Sequence, residues 1–582
     1  MIAGVTGGRR PTAAASSADS DLDSLVGALH SSIANVRLTT SQTPVHPLDP
    51  VDSYEAVATL LPAHKDALLQ NLYSANRSEH LRAVNVLRKY CSLSGKIEEH
   101  VKNIMPLNIL PRIVELFKVP DGILQYETSW ILTNICANVP EAGADVVKAG
   151  AVPVLMDQLR SPSWRIAWQA IWTLGNILCT QDTHQAVVHG YPDIIPRLLT
   201  VVDFTHYDIP EGEVKEAKQC LNEQCVRALA NVAMFPGLPT PNLYDALPFL
   251  AENVSPGTEQ KALSHSIRGL KLIIGLIGGV IDIRACTPDL LANLASTLRH
   301  SLSSGPSYNA MGTLDILSHI ASGGPEHIQV VLEAAAPQDG GWAFVLRVIS
   351  SPRDWRGHIS DSVKGSIVSF VVRMTSGSKD QTVTFLRSGS PDGSPWQIWQ
   401  HLVTAAGRDV DDGSGKKDAV TALYNLISLE ELVLDSELLR LEVMKILLEY
   451  FKLTVPAHLA AELSPYQPPI ADPTLFSRTS DSILSLLNAG SAEAVDPEVA
   501  AQHTYGGPNR FAEQLYVNGG FETLWVVWAR SQNVGSFGPE YERGVAVIQT
   551  VLANFYGAMF QQRVTQLKQM EEMTRGVGSM GI

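Results

Sequence analysis

Charge is scarce in this 582-residue chain. Asp, Glu, Lys and Arg together make up 18%, below the quarter usual for globular proteins. Basic residues are the scarcer kind: 44 Lys and Arg stand against 59 Asp and Glu, a net charge of −15. Recognition of a phosphate backbone needs a basic stripe, so nucleic acid is excluded as a general partner, and a basic partner is the better electrostatic match. Cysteine is sparse too. Cys91, Cys136, Cys179, Cys220, Cys225 and Cys286 form no Cys-x-x-Cys pair, which argues against a zinc cluster or a disulfide framework and for a reducing compartment. The longest apolar stretch, Leu272 to Ile281, is far short of the roughly 20 residues of a membrane span. Met1 to Pro11 lacks the apolar run of a secretory signal. No membrane partner is expected.

Catalytic signatures are missing as well. Gly413-Ser-Gly-Lys416 has Val410 where a phosphate-binding loop needs its first glycine, and Lys417 where it needs Ser or Thr. There is neither a His-Glu-x-x-His metal motif nor a Gly-x-Ser-x-Gly elbow. The 16 histidines show no ligand spacing. The chain reads as a non-enzyme with no cofactor and no metal.

What is present is helical periodicity. Residues 1–52 are rich in Ala, Ser, Thr, Asp and Pro and read as a disordered segment. From Tyr54 onward apolar residues recur every three or four positions, as in Leu81-Arg-Ala-Val-Asn-Val-Leu-Arg88, and breaks fall at Gly, Pro or Ser. Residues 53–450 read as helical repeats with loop inserts at Asp203–Lys218, Arg387–Pro395 and Gly407–Lys416. Residues 451–508 read as a Pro/Ala-rich connecting region with a short helix, 509–565 as a last repeat, and 566–582 as a tail.

Internal repetition sets the fold class. Ser129-Trp-Ile-Leu-Thr-Asn-Ile135 recurs as Ile171-Trp-Thr-Leu-Gly-Asn-Ile177, with Trp130 and Trp172 42 residues apart (172 − 130). That period belongs to armadillo and HEAT repeats. Weaker copies place Arg227 and Asn231, Asp315 and His319, Ser369 and Arg373, and Thr421 and Asn425 in the Trp and Asn positions. The stretch from about 250 to 310 holds a further repeat whose register cannot be read from the sequence. The expectation is an all-α, right-handed armadillo-repeat superhelix.

Positions i and i+4 share a helix face, so Trp130 and Asn134 point together, as do Trp172 and Asn176. Stacked repeats would line these faces along a groove. A side-chain amide offers both a donor and an acceptor to the backbone of an extended peptide. Indole faces attract Lys or Arg by roughly 0.5–2 kcal/mol per cation. The candidate peptide-binding residues are Trp130, Asn134, Trp172, Asn176, Asn231 and Asn425. Trp164, Trp168, Trp525 and Trp528 have no Asn four residues on and read as packing residues.

These Trp-x-x-x-Asn pairs, the block Ala149-Gly-Ala-Val-Pro-Val-Leu-Met-Asp-Gln-Leu-Arg-Ser-Pro-Ser163, and a C-terminal run from Asn509 through Val517-Asn-Gly-Gly-Phe521 to Asn554-Phe-Tyr-Gly557 resemble importin α, the armadillo adaptor for nuclear-localisation peptides. The resemblance implies basic cargo peptides as ligands, a nuclear export receptor at the C-terminal repeat, and residence in cytoplasm and nucleus. The rival expectation is an armadillo scaffold for protein partners outside nuclear transport.

Several positions depart from the family. Thr180 stands where the family places an Asp for the key cargo lysine; Asn138, Val139 and Gly143 also alter that pocket. Arg227 fills the third Trp position. Ser369, Thr421 and Arg373 imply that a second peptide site is weak or absent. Residues 1–60 carry only Arg9, Arg10 and Arg37 as basic residues, so the basic arm that the family docks on importin β is not recognisable.

Overall fold

A computed structural model of the chain describes residues 64–578, apart from 94–95, 140, 239, 278–280, 283–284, 305, 336–340, 351–359, 389–412, 428–442, 456–472, 493–508 and 533–537. The segment expected to be disordered, 1–52, lies outside the described residues, as does all but the N-terminal edge of the insert Arg387–Pro395. The chain divides into two units, Met1–Tyr90 and Cys91–Ile582. In the first, helices Lys65–Tyr73 and Arg77–Cys91 are described, the latter ending at the boundary. All regular elements among the described residues are helices.

The second unit is organised around one helix per repeat. We number these inner helices α1 (Gly122–Asn138), α2 (Trp164–Ile177), α3 (Val214–Val232), α4 (Gln260–Ile277), α5 (Ser307–Ala321), α6 (Asp361–Met374), α7 (Gly413–Ile427), α8 (Pro473–Ala492) and α9 (Pro539–Phe555). Each packs on the next, from α1 on α2 through to α8 on α9, as rungs of a ladder. Short helices such as Ala142–Lys148 and Ala151–Gln158 connect them and pack against them. This is an armadillo-type α-solenoid.

Local chemistry sets the boundaries. Asp121 caps α1 by accepting hydrogen bonds from the N–H groups of Ile123 (3.1 Å) and Leu124 (3.2 Å). Gly150 joins Ala142–Lys148 to Ala151–Gln158 at φ 80°, a left-handed conformation that glycine adopts without cost. Pro153 then falls in the first turn of the new helix, where a missing N–H breaks no intrahelical bond. Burial follows the helical period: Ile131, Leu132 and Ile135 on α1, and Ile171, Leu174 and Ile177 on α2, are each 1% exposed or less.

Polar groups lock the first two rungs. The hydroxyls of Thr133 and Thr173 lie 2.6 Å apart. The Thr133 hydroxyl also stands 2.9 Å from Gln169 Oε1 and 2.9 Å from the Ser129 carbonyl oxygen, and all four residues are buried. Such a network is costly unless satisfied, so it fixes the sliding register of α1 against α2.

Three expectations are revised. The connecting region 451–508 holds α8, a helix of 20 residues that is a full rung between α7 and α9. The insert Gly407–Lys416 ends early, since α7 begins at Gly413, and Val214–Lys218 of the acidic insert belongs to α3. The tail is helical as far as Gly578, in the helix Gly557–Gly578.

The α8–α9 contact depends on Gly544. A Cβ there would lie 2.5 Å from Phe476 Cε1 and 3.4 Å from the Ser477 Cα, and Phe476 is fully buried against Phe451 and Tyr541. Gly544→Ala is expected to cost about 1–3 kcal/mol by overpacking. Because repeat arrays unfold locally, amide hydrogen exchange should accelerate in Pro473–Ala492 and leave α1–α2 unchanged.

Candidate functional site

The inner helices share a register that their hydrogen bonds make explicit. Asn176 on α2 donates from Nδ2 to the carbonyl of Thr133 on α1 (3.3 Å). Asn231 on α3 donates to the carbonyl of Gly175 on α2 (2.7 Å). Asn425 on α7 donates to the carbonyl of Val372 on α6 (3.3 Å) and to Thr375 Oγ1 (3.3 Å). In each case the acceptor is the residue just before the preceding rung's Asn position (134, 176 and 373). Asn134 itself donates to Ser92 Oγ (2.9 Å). The candidate amides on neighbouring rungs therefore occupy equivalent places.

Their surroundings differ. Asn134 and Asn425 are half-buried, and among the described residues no hydrogen bond reaches either side-chain oxygen. Asn176 and Asn231 are 5% and 1% exposed, and their oxygens are taken by arginine. Arg227 Nη2 donates to Asn176 Oδ1 (2.5 Å), and Arg268 Nη2 donates to Asn231 Oδ1 (2.5 Å). Both polar ends of Asn176 and of Asn231 are thus engaged by the chain itself.

The same bonds supply the missing register. Arg268 bears the same relation to Asn231 that Arg227 bears to Asn176, so Arg268 fills the Trp position of α4 and Leu272 its Asn position. The inner Trp positions from α1 to α7 thus read Trp130, Trp172, Arg227, Arg268, Asp315, Ser369 and Thr421. Asp315 forms an ion pair with Lys271 (2.5 Å) and accepts from Ser366 Oγ (3.4 Å). Ser369 donates to Asp418.

Trp130 and Trp172 are both half-buried. Trp130 meets Tyr126 edge to face at 5.6 Å, and Trp172 packs on Trp168 at 5.3 Å. Trp164, Trp168, Trp525 and Trp528 are buried, as packing residues should be. Trp164 donates from Nε1 to Glu213 (3.1 Å), and Arg165 pairs with the same carboxylate (2.8 Å) while lying over the Trp164 ring. That clamp holds the end of the acidic insert to α2. At Thr180 the hydroxyl lies 2.5 Å from Thr183 Oγ1, and Asp182 is exposed in the first turn of Gln181–Gly190.

The arginine rungs make a cationic neighbourhood. Burial lowers the basicity of Arg227, and the charge of Arg268 lowers it further, while Glu223 opposes the shift. Burial, then Arg227, Arg268 and Lys261, push His265 down from 6.5 to about 4. Burial raises the Glu223 carboxyl, and Glu259 adds to the shift.

Armadillo-type proteins are also what comparison with known proteins returns. The family model for the armadillo/beta-catenin-like repeat matches residues 144–179, which run from Ala142–Lys148 to the end of α2. The chain is 32% identical over 164 residues to importin subunit alpha-2 of Arabidopsis thaliana, covering 28% of this chain and 30% of that protein. It is 34% identical over 114 residues to importin subunit alpha-1b of Oryza sativa subsp. japonica, covering 19% and 21%. The matches thus span less than a third of these relatives. Among solved structures, one from work on a phosphorylation switch in the cadherin–beta-catenin interaction aligns with a TM-score of 0.59 at 11% identity, over 88% of this chain and 93% of the other. An engineered protein aligns at 0.56 and 18% identity, over 84% and 98%. These structures establish the fold alone. The chain is an armadillo-type solenoid in fold, with an armadillo-repeat match at residues 144–179 and with segments similar to importin subunits alpha.

His265 yields a pH test. Its folded value of about 4 lies below the ordinary 6.5, so between these limits the unfolded chain takes up a proton that the folded chain refuses. The stability associated with the neutral imidazole is whole above pH 6.5 and is lost as pH falls toward 4. His265→Gln is expected to flatten that part of the stability–pH curve, read as the urea midpoint at pH 7 and pH 4.5.

Proposed function

We propose that the inner face of α1 and α2 binds an extended basic peptide of a partner protein, and that the chain acts as a divergent importin-α-like adaptor in nuclear protein import. The observation that carries this reading is the pairing of two half-buried indoles, each four residues before an amide, on adjacent rungs locked in register through Thr133 and Thr173. Lys or Arg stems of the peptide would lie against Trp130 and Trp172, with cation–π attraction at the charged end. Asn134, whose oxygen has no partner among the described residues, would accept a peptide backbone N–H. Asn176 joins it if Arg227 swings away. Asn425 extends the same line of amides, and Asn231 does so only where Arg268 leaves its oxygen. The importin-α-like segments support a route through cytoplasm and nucleus, and the C-terminal repeat 509–565 is the place for an export receptor. Importin β lies outside this proposal, since no basic arm is recognisable in residues 1–60.

A second reading, an armadillo scaffold outside nuclear transport, is favoured by one feature. Arg227 and Arg268 replace indoles on the third and fourth rungs and would repel a run of lysines continued past α2.

The two readings separate in a binding experiment. A fluorescent lysine-rich peptide should bind the full chain, and Asn134→Ala with Trp172→Ala should weaken it about tenfold, the sum of one amide–backbone hydrogen bond and one cation–π contact. Equal anisotropy titrations for the parent and the double variant would remove α1–α2 as the site. Failure of the parent chain to bind leaves the scaffold reading.

A further inference from the structure

The ladder of inner positions changes sign at its third rung, and the new residues are not held as ordinary ion pairs. Arg227 and Arg268 are half-buried, yet among the described residues neither guanidinium has a carboxylate within 4.0 Å. Their bonds go to neutral amides: Arg227 to Asn176 Oδ1 and Gln224 Oε1 (3.2 Å), Arg268 to Asn231 Oδ1. A guanidinium has five N–H donors, so most of them remain unmatched. The nitrogens without a partner, Arg227 Nε and Arg268 Nε and Nη1, are not among the buried ones, so those donors reach water.

Arg268 sits close enough on the adjacent rung to lower the basicity of Arg227, and His265 feels both guanidinium charges. A half-desolvated pair of that kind is relieved by an anion. Each arginine is also anchored at one end by an amide oxygen, which limits the side-chain entropy lost on gripping a planar carboxylate in two-pronged fashion. Glu223 lies near Arg227 and opposes part of its shift, but among the described residues it forms no ion pair with that guanidinium, which keeps its donors free for a carboxylate in direct contact.

We propose that Arg227 and Arg268 on α3 and α4 form a subsite for a carboxylate side chain of the bound peptide, so that the groove selects a ligand of mixed sign: basic residues over α1–α2 and an acidic residue further along. This deepens, and rests on, the peptide-binding reading above. Packed helices lie about 8–10 Å apart and an extended chain advances about 3.3 Å per residue, so each rung corresponds to about three peptide residues. The acidic residue belongs about six residues from the lysines that face the indoles.

The test is fluorescence anisotropy with the full chain and four labelled peptides. The first has a lysine block flanked by glutamines. The second and third carry glutamates about six residues to one side or the other. The fourth has glutamates and no lysine. One glutamate-bearing lysine peptide should bind about five- to tenfold more tightly than the glutamine-flanked one, the increment of one charge-assisted contact. In Arg268→Gln that ratio should fall to about one, whereas Arg268→Lys, which keeps the charge, should retain part of it. A thermal melt of each variant confirms folding. Equal affinities with Gln and Glu on both sides, or a ratio unchanged in Arg268→Gln, would overturn the subsite. If the glutamine-flanked lysine peptide does not bind at all, the basic-peptide reading fails separately. The subsite then stands or falls on whether the fourth peptide binds the parent chain and loses binding in Arg268→Gln.

Discussion

Side-chain amides that reach back one rung and donate to a backbone carbonyl hold the inner ladder in register. Asn176 to Thr133, Asn231 to Gly175 and Asn425 to Val372 are the same bond made three times. Two of the acceptors, Gly175 and Val372, lie among the last four residues of their helices, where carbonyls have no intrahelical donor. The amide thus satisfies an orphan of the preceding helix and places its own helix at the same time. At Thr133 the carbonyl accepts on a second lone pair, and the buried Thr133, Thr173 and Gln169 network adds the constraint that the orphan would otherwise supply. Position along the ladder is set this way, and apolar burial, which tolerates sliding, supplies the bulk of the attraction.

The consequence for function is that an Asn in this position has a structural role before it has a binding role. Its nitrogen is committed to the neighbouring rung. Only its oxygen is available, and what stands in the next rung's Trp position decides whether it stays available. On α3 and α4 that residue is arginine, which closes the oxygens of Asn176 and Asn231. At Asn134 and Asn425 no such partner appears among the described residues. One substitution, indole to guanidinium, therefore alters two things together: the charge presented on its own rung and the accessibility of the amide on the rung before.

Much of the architecture was legible in the sequence. The 3.6-residue periodicity gives the helices, and the recurrence of Trp130 with Asn134 as Trp172 with Asn176 gives the repeat and two rungs of the site. The remainder depended on contacts between residues far apart in the chain. Arg268 meets Asn231 across 37 positions and Arg227 meets Asn176 across 51. Without an Asn at Leu272 the fourth rung carries no signature, so its register could not be read. The α8 rung was hidden for a different reason: Pro473–Ala492 lies between stretches rich in Pro and Ala, and composition averaged over the region obscured a helix whose partners are on α7 and α9. Asn509, read as part of a C-terminal resemblance, turns out to tie that rung in, donating to the Leu487 carbonyl (2.6 Å) while capping the helix Arg510–Val517.

The division between what packs and what faces the ligand also explains why similarity to known proteins is wide in shape and narrow in sequence. The solved solenoid from the cadherin–beta-catenin work matches 88% of the chain at 11% identity, whereas the importin α relatives match by sequence over less than a third of it. Stacking asks only for apolar residues on the buried face and a donor for the orphan carbonyl, demands that many sequences meet. The Trp positions are not bound by that demand, since Trp, Arg, Asp, Ser and Thr all occupy them here on rungs that pack alike. A solenoid can therefore exchange the chemistry of one rung without disturbing the next. In this chain that freedom has produced a face that begins with indoles, turns cationic at α3 and α4, and carries at α5 an Asp315 already paired with Lys271; under the peptide-binding proposal, the order of charges along the ligand, more than its total charge, is what such a face would read.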